Sequence, residues 1–216
     1  PTEIPASVAQ RLPVRFTMRR NYHSSNYVAI PKHGYTDLFI RLLDHPRIEV
    51  ELNSPFDPSK AYDFSHTFFT GAIDSYFGDQ YGRLGYRTVS WSNEVLDGDF
   101  QGTPQVNLLD YNQEETRIIE HKHFEYWKEF DQTIVSREFS KSTGPGDEPF
   151  YPVRTHRDKD LLSKYQALSE AERGISFLGR LGTYRYLDMW KTIEETFEFF
   201  SEREALGSWP NQSGKM

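Results

Sequence analysis

The 216-residue sequence contains no cysteine. Disulfide bonds, thiolate zinc sites and cysteine nucleophiles are therefore excluded, and the fold must depend on a packed core, for which this length suffices. No apolar run approaches the roughly 18 residues that a membrane-spanning helix needs, and the N-terminal residues show no apolar segment of a signal peptide. We therefore expect a cytoplasmic protein without a membrane span.

Several catalytic signatures are also missing from this sequence. It has no G-x-S-x-G elbow, no G-x-x-x-x-G-K phosphate loop and no G-x-G-x-x-G dinucleotide loop. The formal net charge of -7 argues against a nucleic-acid partner, because the phosphate backbone favours a basic face. A small anionic ligand remains compatible with this charge if a few arginines converge on one cleft.

Metal binding is the next class to consider. His121 and His123 are two residues apart in a segment that reads as a strand, which places both imidazoles on one face. A metal site needs at least a third ligand, and none is visible at metal-ligand spacing. The sequence therefore predicts no metal site.

Hydrophobic periodicity predicts an α+β fold. Helices are predicted at residues 1–12, 34–44 and 158–173 and from the N-cap Asp188 to Gly207, and strands at 48–52, 64–71 and 174–179. Four further strand-like segments between residues 86 and 140 predict an antiparallel sheet. The expected architecture is an incomplete α/β layer with an inserted antiparallel sheet domain. Its segments are 1–33, 34–80, 81–153 and 154–207, followed by a tail at 208–216.

Arginine and tyrosine are abundant near the predicted turns of this sequence. Aromatic residues make up 15% of the chain, including 13 tyrosines. The segment FLGRLGTYRYLDM at residues 177–189 places arginines and tyrosines beside two glycines, where a simple strand-to-helix turn would not need them. Arginine forms forked hydrogen bonds to phosphate, and tyrosine adds a neutral donor that tolerates burial. This combination favours an anion-binding site.

The motifs together resemble the UDP-galactopyranose mutase family. They occur in the family's order along nearly the whole chain: RLPVRF (11–16), GYT (34–36), YGRLGYRT (81–88), TRIIEHKHF (116–124), FYPVR (150–154) and GRLGTYRYLDM (179–189). The resemblance implies a flavoenzyme that uses reduced FAD to interconvert UDP-galactopyranose and UDP-galactofuranose through an adduct of flavin N5 with the sugar. The protein would position and electrostatically clamp the diphosphate.

The same resemblance implies roles for individual residues. The diphosphate would be bound by Arg11, Arg117, Tyr151 and Tyr186, and the rest of the substrate site would be lined by Tyr22, Arg87, Asn107 and Glu138. The flavin would lie against Gly179, Arg180, Tyr186, Asp188 and Met189. No side chain is implied as a nucleophile.

Some features depart from the family pattern. The sequence begins in the middle of that pattern, so we expect its partner to be an N-terminal flavin-binding part, with a homo-oligomer left open. Glu114 and Glu115 stand where the family usually has Pro-Tyr. The alternatives are a non-catalytic nucleotide-sugar-binding or scaffolding domain in a polysaccharide-assembly protein, and a plain interaction domain. A G-x-G-x-x-G loop upstream would favour the enzyme.

Overall fold

The structure, a computed structural model, describes residue 18, residues 26–110 and residues 112–205. The strands are β1 (Thr67–Phe69), β2 (Tyr86–Asp97), β3 (Gln105–Asn107), β4 (Glu115–Glu120), β5 (Gln132–Ser142), β6 (Tyr151–Pro152) and β7 (Ile175–Phe177). The helices are α1 (Gly34–Leu43), α2 (Ile73–Tyr76), α3 (His156–Ala171), α4 (Gly179–Gly182) and α5 (Met189–Ala205), with 3-10 helices at Pro58–Asp63 and His121–Glu125. The predicted helix at 1–12 and the helix end at Gly207 lie outside the described residues. None of the described helices is long and apolar enough to cross a membrane.

Contacts divide the chain into two units, Pro1–Phe56 and Asp57–Met216. In the first, α1 confirms the helix predicted at 34–44, and an ion pair between Asp37 and Arg41 joins two of its turns with 2.9 Å between Oδ2 and Nε. The strand predicted at 48–52 is wrong, since these residues have no regular structure. Alternation of apolar and polar residues forms a strand only where a neighbouring strand pairs with it, and none of the described strands does so here. The boundaries predicted at 80/81 and 153/154 stay predictions.

The second unit contains the predicted antiparallel sheet. Its five strands lie in the order β3-β4-β5-β2-β6, and every pair is antiparallel. The longest pairing joins β2 to β5 over eleven consecutive register positions, from Arg87 opposite Ser142 to Asp97 opposite Gln132. The expectation of an antiparallel sheet between residues 86 and 140 is therefore confirmed.

A second, two-stranded sheet joins the two ends of this unit. β1 pairs in parallel with β7, and Thr67 lies opposite Ile175. The pairing brings together the segments that precede and follow the antiparallel sheet. The fold is a mixture of helices, one antiparallel sheet and a small parallel sheet.

The core lies where the beginning of β2 meets α3 and the segment before α5. Its buried side chains are Ala72, Ile73, Leu84, Tyr86, Leu161, Tyr165 and Tyr184. Two of the tyrosines also bond to the backbone that leads into β2, because the hydroxyls of Tyr165 and Tyr184 donate to the carbonyls of Gly82 and Gly85 at 2.8 and 2.6 Å. Buried polar atoms are stable only when they find such partners. The tyrosines therefore both fill the core and fix the start of the sheet.

Asp158 connects α3 to the same part of β2. It is 5% exposed, forms a capping box with Thr155, and accepts a hydrogen bond from the Gly85 N–H at 3.0 Å. We expect Asp158→Ala to lower the free energy of unfolding by about 2 to 3 kcal/mol, because it breaks the capping box with Thr155 and leaves the N–H groups of Thr155 and Gly85 without this acceptor.

Thermal and urea unfolding would measure this loss. Asp160→Ala is the matched control, since Asp160 is an exposed acid in the same helix turn. Equal stability of the two variants would contradict the structural role of Asp158.

Candidate functional site

Three predicted substrate-site residues form a row across neighbouring strands. Asn107 of β3 lies opposite Arg117 of β4, which lies opposite Glu138 of β5. Arg117 donates from Nε to Asn107 Oδ1 at 3.1 Å, and its Nη1 is 3.5 Å from Glu138 Oε2. The structure therefore brings these residues into direct contact. The Glu138 carboxylate is nearly buried, whereas about a third of the Arg117 side chain is exposed.

A β-bulge in β4 shapes this row. The register places Glu115 opposite Phe139 and Arg117 opposite Glu138, so Thr116 is an extra residue. The Thr116 hydroxyl donates to Glu138 Oε1 at 2.9 Å, which shows that it shares the face of Arg117. Glu115 lies on the other face, because Phe139 and Glu138 are successive residues of a strand. Glu115 therefore points away from Arg117.

Arg87 and Tyr151 extend the same face of the sheet. Arg87 of β2 donates to the Ser140 hydroxyl at 3.2 Å and to the Ser140 carbonyl at 2.7 Å. Ser140 is two residues beyond Glu138 in β5 and therefore faces the same way. Tyr151 of β6 lies directly opposite Arg87. Five of the predicted substrate-site residues thus share one face.

Tyr151 also contacts the segment between α4 and α5. The Arg180 guanidinium carbon is 5.0 Å from the centre of the Tyr151 ring and 4.7 Å from that of Tyr186. Arg180 is fixed by Nε and Nη2, which donate to the Leu187 carbonyl at 3.1 and 2.5 Å. A cation held against two aromatic faces stabilises both rings. This contact links three of the predicted site residues.

Backbone conformations with positive φ occur beside this contact. Arg154 has φ 63° and Tyr184 has φ 49°, a region that costs energy for residues other than glycine. The Arg154 N–H donates to the buried Tyr184 hydroxyl at 3.3 Å. The turn at Tyr184 buries this ring in the core, and Tyr186 then reaches Tyr151. Core packing therefore holds the strained turn that orients the site.

The predicted flavin residues lie at the ends of α4 and α5. Gly179 begins α4 with φ +73°, where a side chain would be strained. Asp188 precedes α5, as predicted for its N-cap, and its carbonyl accepts from the Thr192 N–H at 2.9 Å. Asp188 and Met189 are exposed, so the positive end of a 17-residue helix is open to a ligand. Arg11 and Tyr22 lie outside the described residues.

Two residues that position side chains of this site could hardly be recognised from the sequence. Ser140 fixes Arg87, and Thr116 fixes Glu138. Both are small hydroxyl residues in strands, where their contacts depend on register and on a bulge. Only the alternation of β5, which places Glu138 and Ser140 on one face, could have indicated Ser140.

The prediction that the two histidines share a strand face is wrong, whereas the prediction of no metal site stays a prediction. His121 and His123 lie in a 3-10 helix rather than on a strand face, and His121 bonds instead to the Ser136 hydroxyl. His123 does have neighbours of metal-ligating type, because Asp99 and Glu120 are brought to it from a turn and from the end of β4. Burial raises the pKa of Glu120, but hydrogen bonds from the N–H groups of Phe100 and Gln101 outweigh this and lower it to about 2.

Comparisons with known proteins agree with the motifs. The family model described as UDP-galactopyranose mutase matches residues 1–186. A probable UDP-galactopyranose mutase of Klebsiella pneumoniae is 42% identical over 212 residues, which cover 98% of this chain and 55% of the relative. A dTDP-fucopyranose mutase of Escherichia coli is 40% identical over 92% of this chain and 54% of its own length. A UDP-galactopyranose mutase of Mycoplasma pneumoniae is 30% identical over 90% of this chain and 53% of its own length. The chain thus spans about half the length of these relatives.

Proposed function

Because the chain belongs to the UDP-galactopyranose mutase family, we propose that it is part of a flavin-dependent mutase that interconverts UDP-galactopyranose and UDP-galactofuranose. The supporting observation is that Arg87, Asn107, Arg117, Glu138 and Tyr151 share one sheet face, which Tyr151 connects to Arg180 and Tyr186. Cationic and phenolic donors gathered on one face suit a nucleotide diphosphate.

Arg117 is the residue that would bind the diphosphate most strongly. Its guanidinium is pre-positioned by Asn107 and Glu138, but it remains partly exposed and can form a fork with phosphate oxygens. The Glu138 carboxylate holds the cation in place without facing solvent. The hydroxyls of Tyr151 and Tyr186 would donate to the same anion, because Arg180 orients both rings.

The chain's own residues fit part of a flavin site. The open N-terminus of α5, which follows Asp188 and begins at Met189, and the Gly179 turn would offer backbone N–H groups and a close approach for a cofactor. A bound reduced flavin would supply the nucleophilic nitrogen that replaces UDP on the sugar. Arg117 and the two tyrosines would hold the departing UDP and keep it ready for return.

The remaining part of the flavin site would come from a region that corresponds to the part of the relatives outside the match with this chain. A stripe of exposed apolar residues on α5, Trp190, Ile193 and Phe197, recurs at helical spacing. We infer that this stripe packs against the additional part. Contiguous apolar faces of this kind seldom remain uncovered.

Turnover by the complete protein tests the proposal. UDP-galactofuranose would be incubated with the dithionite-reduced protein and with the air-oxidised protein, and the sugar products separated by chromatography. We expect UDP-galactopyranose only with the reduced protein, and faster turnover than with dTDP-fucofuranose. No conversion of either sugar nucleotide, with binding retained, would favour the non-catalytic binding domain instead.

We further expect that residues 1–216 expressed alone are colourless after purification and show no mutase turnover with added reduced FAD. The physical reason is that the sequence has no G-x-G-x-x-G loop for the cofactor phosphates. Visible absorption and chromatography of the products measure both properties. A stoichiometric yellow complex with turnover would show that this chain suffices.

A further inference from the structure

A second cluster of charged residues lies on the face of the sheet opposite Arg117. Glu120 is three residues beyond Arg117 in β4 and is fully buried, and strand alternation turns it to the other face. His123 Nε2 lies 3.3 Å from Glu120 Oε2 and 3.1 Å from Asp99 Oδ2. This cluster of Asp99, Glu120 and His123 has no part in the diphosphate site.

The spacing of these atoms matches that of metal ligands. Four ligands at about 2.0–2.1 Å from a tetrahedral Zn²⁺ lie about 3.3–3.4 Å from one another. The two separations from His123 Nε2, 3.1 and 3.3 Å, are close to this value. Imidazole nitrogen and carboxylate oxygen are both zinc ligands, and a site with three protein ligands leaves a fourth position for water.

The two carboxylates are held in place by backbone groups of one turn. Asp99 Oδ1 accepts from the Gly102 N–H at 2.8 Å, while Glu120 accepts from the N–H groups of Phe100 and Gln101 at 3.0 and 2.7 Å. Hydrogen bonds of this kind orient metal ligands in known sites. Asp99 Oδ2 and Glu120 Oε2 thus face His123 without a change in the backbone.

His123 provides an independent indication of a ligand. Its Nε2 atom is buried and makes no well-aligned hydrogen bond among the described residues, although a carboxylate oxygen of Asp99 and one of Glu120 lie 3.1 and 3.3 Å from it. His123 also lines an open cavity of about 490 Å³, together with Tyr126 and Phe130. A cation could therefore reach the cluster from solvent and satisfy this nitrogen.

Lys122 competes for the same position. Its ammonium lies 3.3 Å from Asp99 Oδ2 and 3.9 Å from Glu120 Oε1. One ammonium leaves one of the two carboxylate charges uncompensated, which is unfavourable at Glu120 because this residue is fully buried, whereas Asp99 is half exposed. A divalent cation would supply the missing charge, and Lys122 would then move toward solvent on its flexible stem.

We propose that Asp99, Glu120 and His123 bind one divalent transition-metal ion of the zinc type, with the fourth position open to the cavity. The ion would fix the turn at residues 98–102 to the 3-10 helix that follows β4. This role is independent of the proposed mutase activity, because the cluster and Arg117 lie on opposite faces of the sheet.

Zinc titration of the full-length protein after treatment with EDTA tests the proposal. We expect calorimetry to show one equivalent of Zn²⁺ and no comparable binding of Mg²⁺. Asp99→Asn and His123→Gln should each weaken zinc binding at least tenfold. Lys122→Met should tighten it, because the competing cation is removed. His156→Gln is the matched control and should bind as the wild type does.

Two further readouts keep the proposal testable if Asp99→Asn folds poorly. Co²⁺ should give the intense visible bands of a tetrahedral site in the wild type, and these bands should be absent from His123→Gln. Zn²⁺ should raise the melting temperature of the wild type and leave that of His123→Gln unchanged. Absence of zinc binding in the wild type, or equal binding in His123→Gln, would overturn the proposal.

Discussion

Replacing Arg117 with alanine is expected to weaken UDP binding by the complete protein by about 2 to 4 kcal/mol, or roughly 30- to 1000-fold. The loss should be large because the guanidinium is partly desolvated and already oriented by Asn107 and Glu138. Arg117→Lys should recover only part of the affinity, since lysine keeps the charge but cannot form a fork with phosphate. Calorimetric titration with UDP measures the three affinities.

The neighbouring residue Arg137 provides a control for general charge effects. It precedes Glu138 in β5, faces the other side of the sheet and pairs with Glu94 at 2.9 Å. Arg137→Ala should therefore change UDP affinity by less than about 0.5 kcal/mol. Thermal melts would verify the fold of each variant. If Arg117→Ala and Arg137→Ala bind UDP as tightly as the wild type, Arg117 does not belong to the site.

Arg180→Ala should have the second-largest effect, weakening UDP binding by about 2 to 3 kcal/mol in the complete protein. The substitution removes two contacts with aromatic rings and the hydrogen bonds to the Leu187 carbonyl. Tyr151 and Tyr186 would then lose the group that holds their rings in place. We expect turnover to fall as well, because poorly positioned hydroxyls support the departing UDP less well.

Arg185 is a matched control for Arg180, since it lies in the same segment and is exposed. Its guanidinium pairs with Glu195 on α5 rather than with the tyrosines. Arg185→Ala should leave UDP affinity and turnover within about twofold, as for most exposed ion pairs. Comparable losses in Arg180→Ala and Arg185→Ala would indicate a general disturbance of this segment instead of a specific role for Arg180.

The antiparallel sheet could be predicted from the sequence because its strands are encoded locally. Segments such as TIVSREFS alternate over many residues and are separated by turns rich in glycine and polar residues. α3 was predicted to within two residues at each end for the same reason. Residues 48–52 alternate equally well, but a strand also depends on a partner, which no local pattern specifies.

The candidate site was only partly predictable. The concentration of arginine and tyrosine in residues 177–189 indicated an anion site, but that Arg180 would lie against Tyr151 depends on how β6 approaches this segment. The bulge at Thr116 and the approach of Asp99 to His123 likewise depend on register and on a turn that is distant in sequence. Interactions between distant segments have no periodic signal in the chain.

The parallel pairing of β1 with β7 has a consequence for synthesis on the ribosome. About a hundred residues must be synthesised after β1 before β7 emerges from the ribosome. At about 5–20 residues per second this synthesis takes roughly 5 to 20 s. During this interval Phe68 and Phe69 have no partner strand, and unpaired apolar strands readily associate with other chains. The antiparallel sheet can close earlier, because all its strands lie between Tyr86 and Pro152. The nascent chain is therefore expected to need chaperone protection at β1 until β7 has emerged.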